Sequence, residues 1–193
     1  MSPSSSAWVD LCSLPELQRP YLFRYVDDPA DRASSALGKQ RPLRPVVPMA
    51  FSLLDRRTPR VEALVDSGSE RVFAAPSLAR ALNIDLSTAV AVPIGIGGGT
   101  RLARFASVEF QLYEKLLDDE AAPIAQWNGD VGFLSSWEPP YAVVLGRDGF
   151  LDQFTLTMHG GVPAFVLESW SAFDGRFGVE IEEADQSQPR FRQ

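Results

Sequence analysis

The chain has 193 residues, enough for one domain of ordinary size. Its 18 Lys and Arg against 25 Asp and Glu give a net charge of −7, so it lacks the excess positive charge with which nucleic-acid-binding proteins neutralise phosphates. Hydrophobic residues make up 45% of the chain, a fraction typical of soluble globular domains. These numbers predict a soluble domain with no nucleic-acid partner.

Two residue types that often act in catalysis or bind metals are almost absent. The chain has one cysteine, Cys12, and one histidine, His159. A disulfide within the chain needs two cysteines, and a Cys/His zinc site needs more ligands than these. A serine or cysteine protease mechanism would have to use His159. Carboxylate chemistry is therefore favoured, and the sequence predicts neither a metal nor a cofactor.

The hydropathy of the chain bears on its localisation. No apolar run reaches the roughly 18 to 20 residues that span a bilayer. Residues 1–13 lack the charged start and apolar stretch of a signal peptide. The prediction is a cytoplasmic protein with no membrane partner.

Residues 1–45 are expected to form an N-terminal extension, since their Ser and Pro residues favour loops over regular structure. One apolar segment within them, residues 21–26, can add a strand or pack on the core. Two interpretations stay open: a partly ordered tail, and a pro-segment that is removed.

Residues 46–170 read as one β-rich domain. Strands at 46–54 and 61–65 are separated by a polar turn and predict a hairpin. A short helix at 76–82 begins with proline, which suits the first turn. Further strands are predicted at 89–94, around 108–112, at 141–145, and in a final hairpin of 155–158 and 162–167. After this domain, residues 171–193 are predicted to be an acidic C-terminal tail.

Residues 114–139 mix acidic residues, Pro and Trp, and the pattern assigns them to no element. For Trp127, Trp137 and Trp170, core or dimer packing is the favoured interpretation over the lining of a groove. The acidic run at 118–120 is interpreted as a solvated loop rather than a cation site.

Three motifs stand in a fixed order along the domain. The apolar strand at 61–65 ends in Asp66-Ser67-Gly68-Ser69. A glycine-rich tip follows, and its glycines permit unusual backbone angles and hinge motion. A dinucleotide fingerprint is excluded there, because a strand and not a helix follows the glycines. The tip reads Ile94-Gly95-Ile96-Gly97-Gly98-Gly99, and the third motif reads Val144-Leu145-Gly146-Arg147-Asp148.

In these motifs and their order, the chain resembles the retropepsin-like aspartic proteases, single-lobe relatives of pepsin, over roughly residues 45–167. The resemblance implies an all-β, retropepsin-like acid-protease fold with one short helix, active as a two-fold homodimer. It implies that Asp66 is catalytic and that residues 67–69 support its loop. It also implies that residues 94–99 form a flap over the substrate and that residues 144–148 thread beside the catalytic loop.

The chemistry favours the same aspartate. Two carboxyls that share a proton can hydrolyse a peptide bond without His, Cys or metal. Since like charges held close cannot both ionise, one pKa rises and the pair titrates as a unit. The chain contains a single Asp-Ser-Gly and no internal repeat, so the second carboxyl must be Asp66 of another copy.

The neighbours of Asp66 also have expected roles. Gly68 permits the tight turn. By resemblance, the Ser67 hydroxyl would bond across the dimer axis. A hydrogen bond from Ser69 to the charged form would lower the pKa of the pair.

The sequence thus predicts an aspartic endopeptidase that acts as a homodimer on a peptide or protein substrate. Apolar pockets are expected near Val92, Ile94 and Ile96. Two alternatives stay open: a catalytically silent retropepsin-like module for dimerisation or peptide binding, and a hydrolase of another class that uses His159.

Overall fold

A computed structural model describes residues 15–28, 36–38, 42–96, 99–118, 120–137 and 140–177. Within these residues one sheet of eleven strands dominates, and helix α1 spans Pro76–Ala81. The strands in chain order are β1 (Tyr21–Asp27), β2 (Leu43–Leu53), β3 (Arg56–Arg57), β4 (Val61–Val65), β5 (Phe73–Ala74), β6 (Ala91–Ile96), β7 (Gly99–Leu112), β8 (Ala125–Leu134), β9 (Val143–Leu145), β10 (Thr155–His159) and β11 (Ala164–Glu168).

Six of these strands close into a barrel. Their order is β2-β4-β9-β5-β8-β7, and β7 pairs back onto β2 through residues such as Met49 and Leu112. Closure satisfies the backbone hydrogen bonds of each strand on both sides. Val47, Met49 and Phe51 stand on alternate positions of β2 and are fully buried, and Ala50 on the opposite face is fully buried as well, so the centre of β2 is covered on both faces.

Aromatic side chains fill much of the barrel interior. The Phe110 ring stacks on Trp127 with centroids 5.2 Å apart and meets the Phe51 ring edge-on at 5.0 Å. Phe150 and Phe154, from the turn that follows β9, contact the same indole. Trp127 is 7% exposed, so the interpretation that it packs in the core is confirmed.

Strand β1 links the barrel to the C-terminal hairpin, because it pairs with β2 on one side and β11 on the other. Tyr21 and Phe23 are buried, and the Phe23 ring stacks on Phe165 with centroids 5.5 Å apart. The apolar segment at 21–26 therefore adds a strand to the sheet. The functional separation of residues 1–45 from the domain stays a prediction.

Most of the predicted elements form. The structure confirms the hairpin of β2 and β4, helix α1, and the hairpin of β10 and β11. Strand β8 forms in the segment that sequence patterning left unassigned. Its alternation is broken by Gly129 and Gly132, which are needed because aromatic rings from neighbouring strands occupy the space where a side chain would lie.

The expectation of one short helix is corrected, because residues 170–177 are also helical. Most of this helix falls in the segment that was predicted to be an acidic tail. Residues 178–193 of that segment lie outside the described residues, as do Cys12 and Asp119. No helix in the described part of the chain is both long and apolar enough to cross a membrane.

Candidate functional site

Asp66 is the first residue after β4 and opens a tight loop. Its N–H donates to the Leu145 carbonyl at 2.9 Å, which ties the loop to β9. Its Oδ1 accepts from the Gly68 N–H at 2.9 Å, and its carbonyl accepts from the Ser69 N–H at 3.1 Å. A carboxylate that accepts a backbone N–H within its own loop has one preferred orientation. The loop thus holds the Asp66 side chain in place.

The third sequence motif runs alongside this loop. Strand β9 is parallel to β4 and antiparallel to β5, so it lies between them. Beyond β9, the Arg147 N–H donates to the Ser69 carbonyl at 2.9 Å and the Asp148 N–H donates to the Glu70 carbonyl at 2.8 Å. These bonds continue the ladder past the ends of the strands. The two segments therefore form one hydrogen-bonded unit.

The crossing of the two segments requires glycine at position 146. A Cβ at Gly146 would lie 2.2 Å from the carbonyl oxygen of Arg71, closer than any van der Waals contact allows. Just beyond the crossing, Arg71 forms a salt bridge to Asp148 with a 3.5 Å separation. Both side chains of that pair are more than half exposed, so the pair contributes little to stability.

Strands β6 and β7 form a two-stranded ribbon, here called the β6–β7 ribbon (residues 91–96 and 99–104). Its register runs from Ala91 opposite Arg104 to Ile96 opposite Gly99. Strand β7 pairs with β8 only from Ala103 onwards, so the ribbon extends beyond the barrel. Gly97, Gly98 and the side chain of Ile96 lie outside what is described.

A cleft of about 860 Å³ lies between the Asp66 loop and the β6–β7 ribbon. Its walls carry two carboxylates, two guanidinium groups and several apolar side chains, so it can contact both the backbone and the side chains of a peptide. The lining residues are Asp66, Gly68, Ser69, Glu70 and Arg71 from the loop, Pro93, Ile94, Gly95 and Arg101 from the ribbon, and Phe73, Leu134, Ser136, Trp137 and Val144 elsewhere.

The predicted site residues divide into two groups. Those that line the cleft are Asp66, Gly68, Ser69, Ile94, Gly95 and Val144. Those described residues that lie outside its lining are Ser67, Gly99, Leu145, Gly146, Arg147 and Asp148, and also Val92, near which a pocket was expected. The residues outside the lining are neighbours of the cleft-lining residues along the chain or across backbone hydrogen bonds, and so help to position them.

Within this chain, the expected hydrogen bond from Ser69 to the Asp66 carboxyl is not formed. The Ser69 hydroxyl donates instead to the Arg71 carbonyl at 2.8 Å, because the chain turns back towards β5 directly after it. The hydroxyl therefore supports the shape of the loop.

Several cleft residues carry no motif and were missed by sequence patterning: Phe73, Arg101, Leu134, Ser136 and Trp137. Trp137 lines the cleft and is not part of the core, while packing in a dimer interface stays a prediction. Its indole N–H donates to the Tyr141 carbonyl at 2.8 Å, which anchors the ring in the wall. A signal for Arg101 was present in the sequence, because pairing the two strands of the glycine-tipped hairpin places it opposite Ile94, a predicted site residue.

His159 belongs to a different part of the sheet. It ends β10, the strand at the opposite edge of the sheet from β6. Its Nδ1 accepts hydrogen bonds from the N–H groups of Gly161 and Val162 at 3.1 and 2.8 Å, so it stabilises the turn of the hairpin. His159 does not line the cleft. Among the described residues, no three His, Cys, Asp or Glu side chains are grouped so that they could hold a metal ion.

Comparison with known proteins shows a distant structural similarity. No protein-family model matches the chain, and no curated protein matches its sequence. Among solved structures, the chain is similar to a retropepsin-like aspartic protease from Rickettsia conorii, at 12% sequence identity and a TM-score of 0.43. The match covers 77% of this chain and 91% of that one. At this level of similarity, any statement about function has to rest on the residues of the cleft.

Proposed function

We propose that the protein is an aspartic endopeptidase whose active site forms when two copies bring their Asp66 side chains together. The observation that carries the proposal is the position of Asp66. It follows a core strand, its carboxylate accepts a backbone N–H of its own loop, and it lines a cleft beneath the β6–β7 ribbon. These features suit a carboxylate that acts on an extended chain.

The proposed reaction needs one protonated and one ionised carboxyl. Two adjacent carboxyls share a proton, because ionising both would bring two negative charges together. The ionised Asp66 takes a proton from water while the water oxygen bonds to the carbonyl carbon, and the protonated one gives its proton to the carbonyl oxygen. The C–N bond of the resulting tetrahedral intermediate then breaks. The leaving nitrogen takes a proton from one carboxyl, and one hydroxyl of the intermediate gives its proton to the other as the product carboxyl forms, so the pair again holds one proton.

The substrate is proposed to be a peptide or protein segment in an extended conformation. Strand β6 is an edge strand, so its outer backbone groups are available to a further strand. The apolar side chains of Ile94, Phe73 and Trp137 line the cleft and can contact substrate side chains. Backbone pairing provides affinity with little dependence on sequence, and the side-chain contacts provide selectivity.

The homodimer is part of the same proposal, since one loop supplies one Asp-Ser-Gly. Ser67 is exposed beside Asp66, and its hydroxyl has no hydrogen-bond partner within the described part of the chain. This leaves the hydroxyl available to the second copy. The exposed face of the Asp66 loop is therefore the proposed contact on the two-fold axis.

The first experiment compares the wild type with Asp66→Asn for cleavage of a mixed peptide library between about pH 4 and pH 7. Asparagine keeps the shape of the side chain and removes the titrating carboxyl. We expect cleavage to fall by about a thousandfold or more, the order seen when a catalytic acid or base is lost. The matched control is Asp55→Asn, since Asp55 is exposed in the turn between β2 and β3, outside the cleft.

Each result has a definite meaning. Cleavage by the wild type and the control, but not by Asp66→Asn, supports the proposal. Equal cleavage by all three proteins would assign the activity to another site. If none cleaves any peptide while the wild type binds peptides, the protein is a binding module, and the proposed activity is wrong.

A further inference from the structure

A positive charge on the ribbon side of the cleft has no acidic partner among the residues that the structure describes. Arg101 stands opposite Ile94 in the β6–β7 register, and both line the cleft. Its Nη1 donates to the Ser136 hydroxyl at 3.1 Å, and within the described residues it forms no salt bridge. The other cleft arginine, Arg71, is already paired with Asp148.

Strand alternation indicates that Arg101 stands on the cleft side of β7. Side chains at alternate positions share a face, so Arg101, Ala103 and Phe105 point the same way. Ala103 is fully buried. The Phe105 ring lies 6.3 Å from the ring of Phe73, which is itself part of the cleft wall. The charge of Arg101 is therefore directed towards the space that a substrate would occupy.

The surroundings of Arg101 favour a bound carboxylate. Ser136 accepts one N–H of the guanidinium, which carries five donors in a planar fork suited to bidentate contact with a carboxylate. Leu134 and Trp137 line the same part of the cleft, and the indole is anchored through Tyr141. Apolar neighbours lower the local dielectric when a ligand covers the site, which strengthens an ion pair.

We propose that Arg101 is a specificity-determining residue that binds an acidic side chain of the substrate. The inference rests on the proposed function and makes the preferred substrate class a peptide with Glu or Asp near the scissile bond. The two carboxylates of the cleft, Asp66 and Glu70, belong to the loop and repel a second negative charge there. The preference is therefore expected at one substrate position and not along the whole peptide.

The test uses pairs of peptides that contain a site cleaved by the wild type and differ only by Glu or Gln at one position. At the position that contacts Arg101, we expect the wild type to cleave the Glu peptide with a kcat/KM about three- to tenfold higher than the Gln peptide. This factor corresponds to an ion pair that is stronger than a fully exposed pair and weaker than a buried one. The ratio should approach one in Arg101→Leu. In Arg101→Glu the Glu/Gln ratio should fall below one. A third peptide with Lys at that position should then be cleaved faster than the Gln peptide.

Two controls accompany these variants. Arg56→Leu removes an exposed arginine of β3, outside the cleft, and should keep the full Glu/Gln ratio. Raising the salt concentration should reduce the ratio of the wild type towards one, since screening weakens an accessible ion pair. A Glu preference that is the same in the wild type and Arg101→Leu, or a wild type with no Glu preference at any position, would overturn the inference while the proteolytic function stands.

A binding measurement separates this inference from the proposed function. The dissociation constants of Glu and Gln peptide pairs are measured by fluorescence anisotropy with Asp66→Asn, alone and combined with Arg101→Leu. The pairs are those that the wild type cleaves or, if it cleaves none, pairs built on library peptides that it binds. Tighter binding of the Glu peptide that depends on Arg101 supports the inference even if the wild type cleaves nothing. Equal binding of both peptides, together with no difference in cleavage, overturns it.

Discussion

Gly146 matters because two segments distant in the chain cross at this residue. The Asp66 loop and the segment after β9 exchange backbone hydrogen bonds on both sides of the crossing. The space for a side chain is filled by the backbone of Arg71, which cannot move without breaking those bonds. The position of Asp66 therefore depends on a residue that does not line the cleft.

Replacing Gly146 with Ala should destabilise the protein by about 1–3 kcal/mol, the range found when atoms are forced into a packed interior. Activity should fall with it, because the loop that holds Asp66 must shift. Urea unfolding measures the free energy, and the matched control is Gly160→Ala. A Cβ at Gly160 meets nothing within 4 Å, so that variant should unfold close to the wild type. Identical unfolding of the two variants would contradict the role given to Gly146.

At the scale of elements, the β6–β7 ribbon provides the side of the cleft that faces Asp66. In its described outer part, the strands of the ribbon pair only with each other, and hydrogen bonds from Arg101 to Ser136 and from the Ser135 N–H to the Leu102 carbonyl tie it to the segment after β8. Few contacts outside the ribbon hold it in place, so its motion is opposed by little packing energy. The proposed function requires such an arrangement, since the ribbon would have to open and close over an extended substrate.

Strand β1 is the element that decides how much of the first 45 residues can be removed. It lies between β2 and β11, and it buries Tyr21 and Phe23. A pro-segment cut at residue 45 would take this strand away. A cut before residue 15 would keep every contact described for it.

We expect the protein without residues 1–14 to keep its fold and the protein without residues 1–28 to lose it. The loss of a buried Phe or Trp side chain costs about 3–5 kcal/mol, and two large rings together approach the total stability of a typical domain. Thermal unfolding followed by circular dichroism compares the two truncations with the full chain. If the protein without residues 1–28 unfolds cooperatively at the same temperature as the full chain, β1 is dispensable.

At the scale of the whole molecule, a closed six-stranded barrel provides one Asp-Ser-Gly loop and one ribbon. The proposed chemistry requires two carboxyls, so the working unit that we propose is a dimer. Because dimers form by mass action, activity per chain should rise with protein concentration wherever dimers are incomplete.

Mixing the wild type with Asp66→Asn tests the shared site. After subunit exchange, an equal mixture should lower the activity per wild-type chain to about half, and a fivefold excess of the variant to about one-sixth, since pairing is random. The control is the same excess of an unrelated protein. Unchanged activity would mean that one chain holds both carboxyls, in which case Glu70 is the second group to replace.

The sequence by itself determined the local features: Asp66 after an apolar strand, glycines at a hairpin tip, a proline-started helix and the final hairpin. These follow from backbone and side-chain preferences within a few residues, which a pattern can express. Tertiary structure alone decided that β8 completes the barrel, that Gly146 crosses Arg71, and that Arg101 and Trp137 line the same cleft. Those contacts join residues far apart in the chain, and they arise only when packing brings distant strands together.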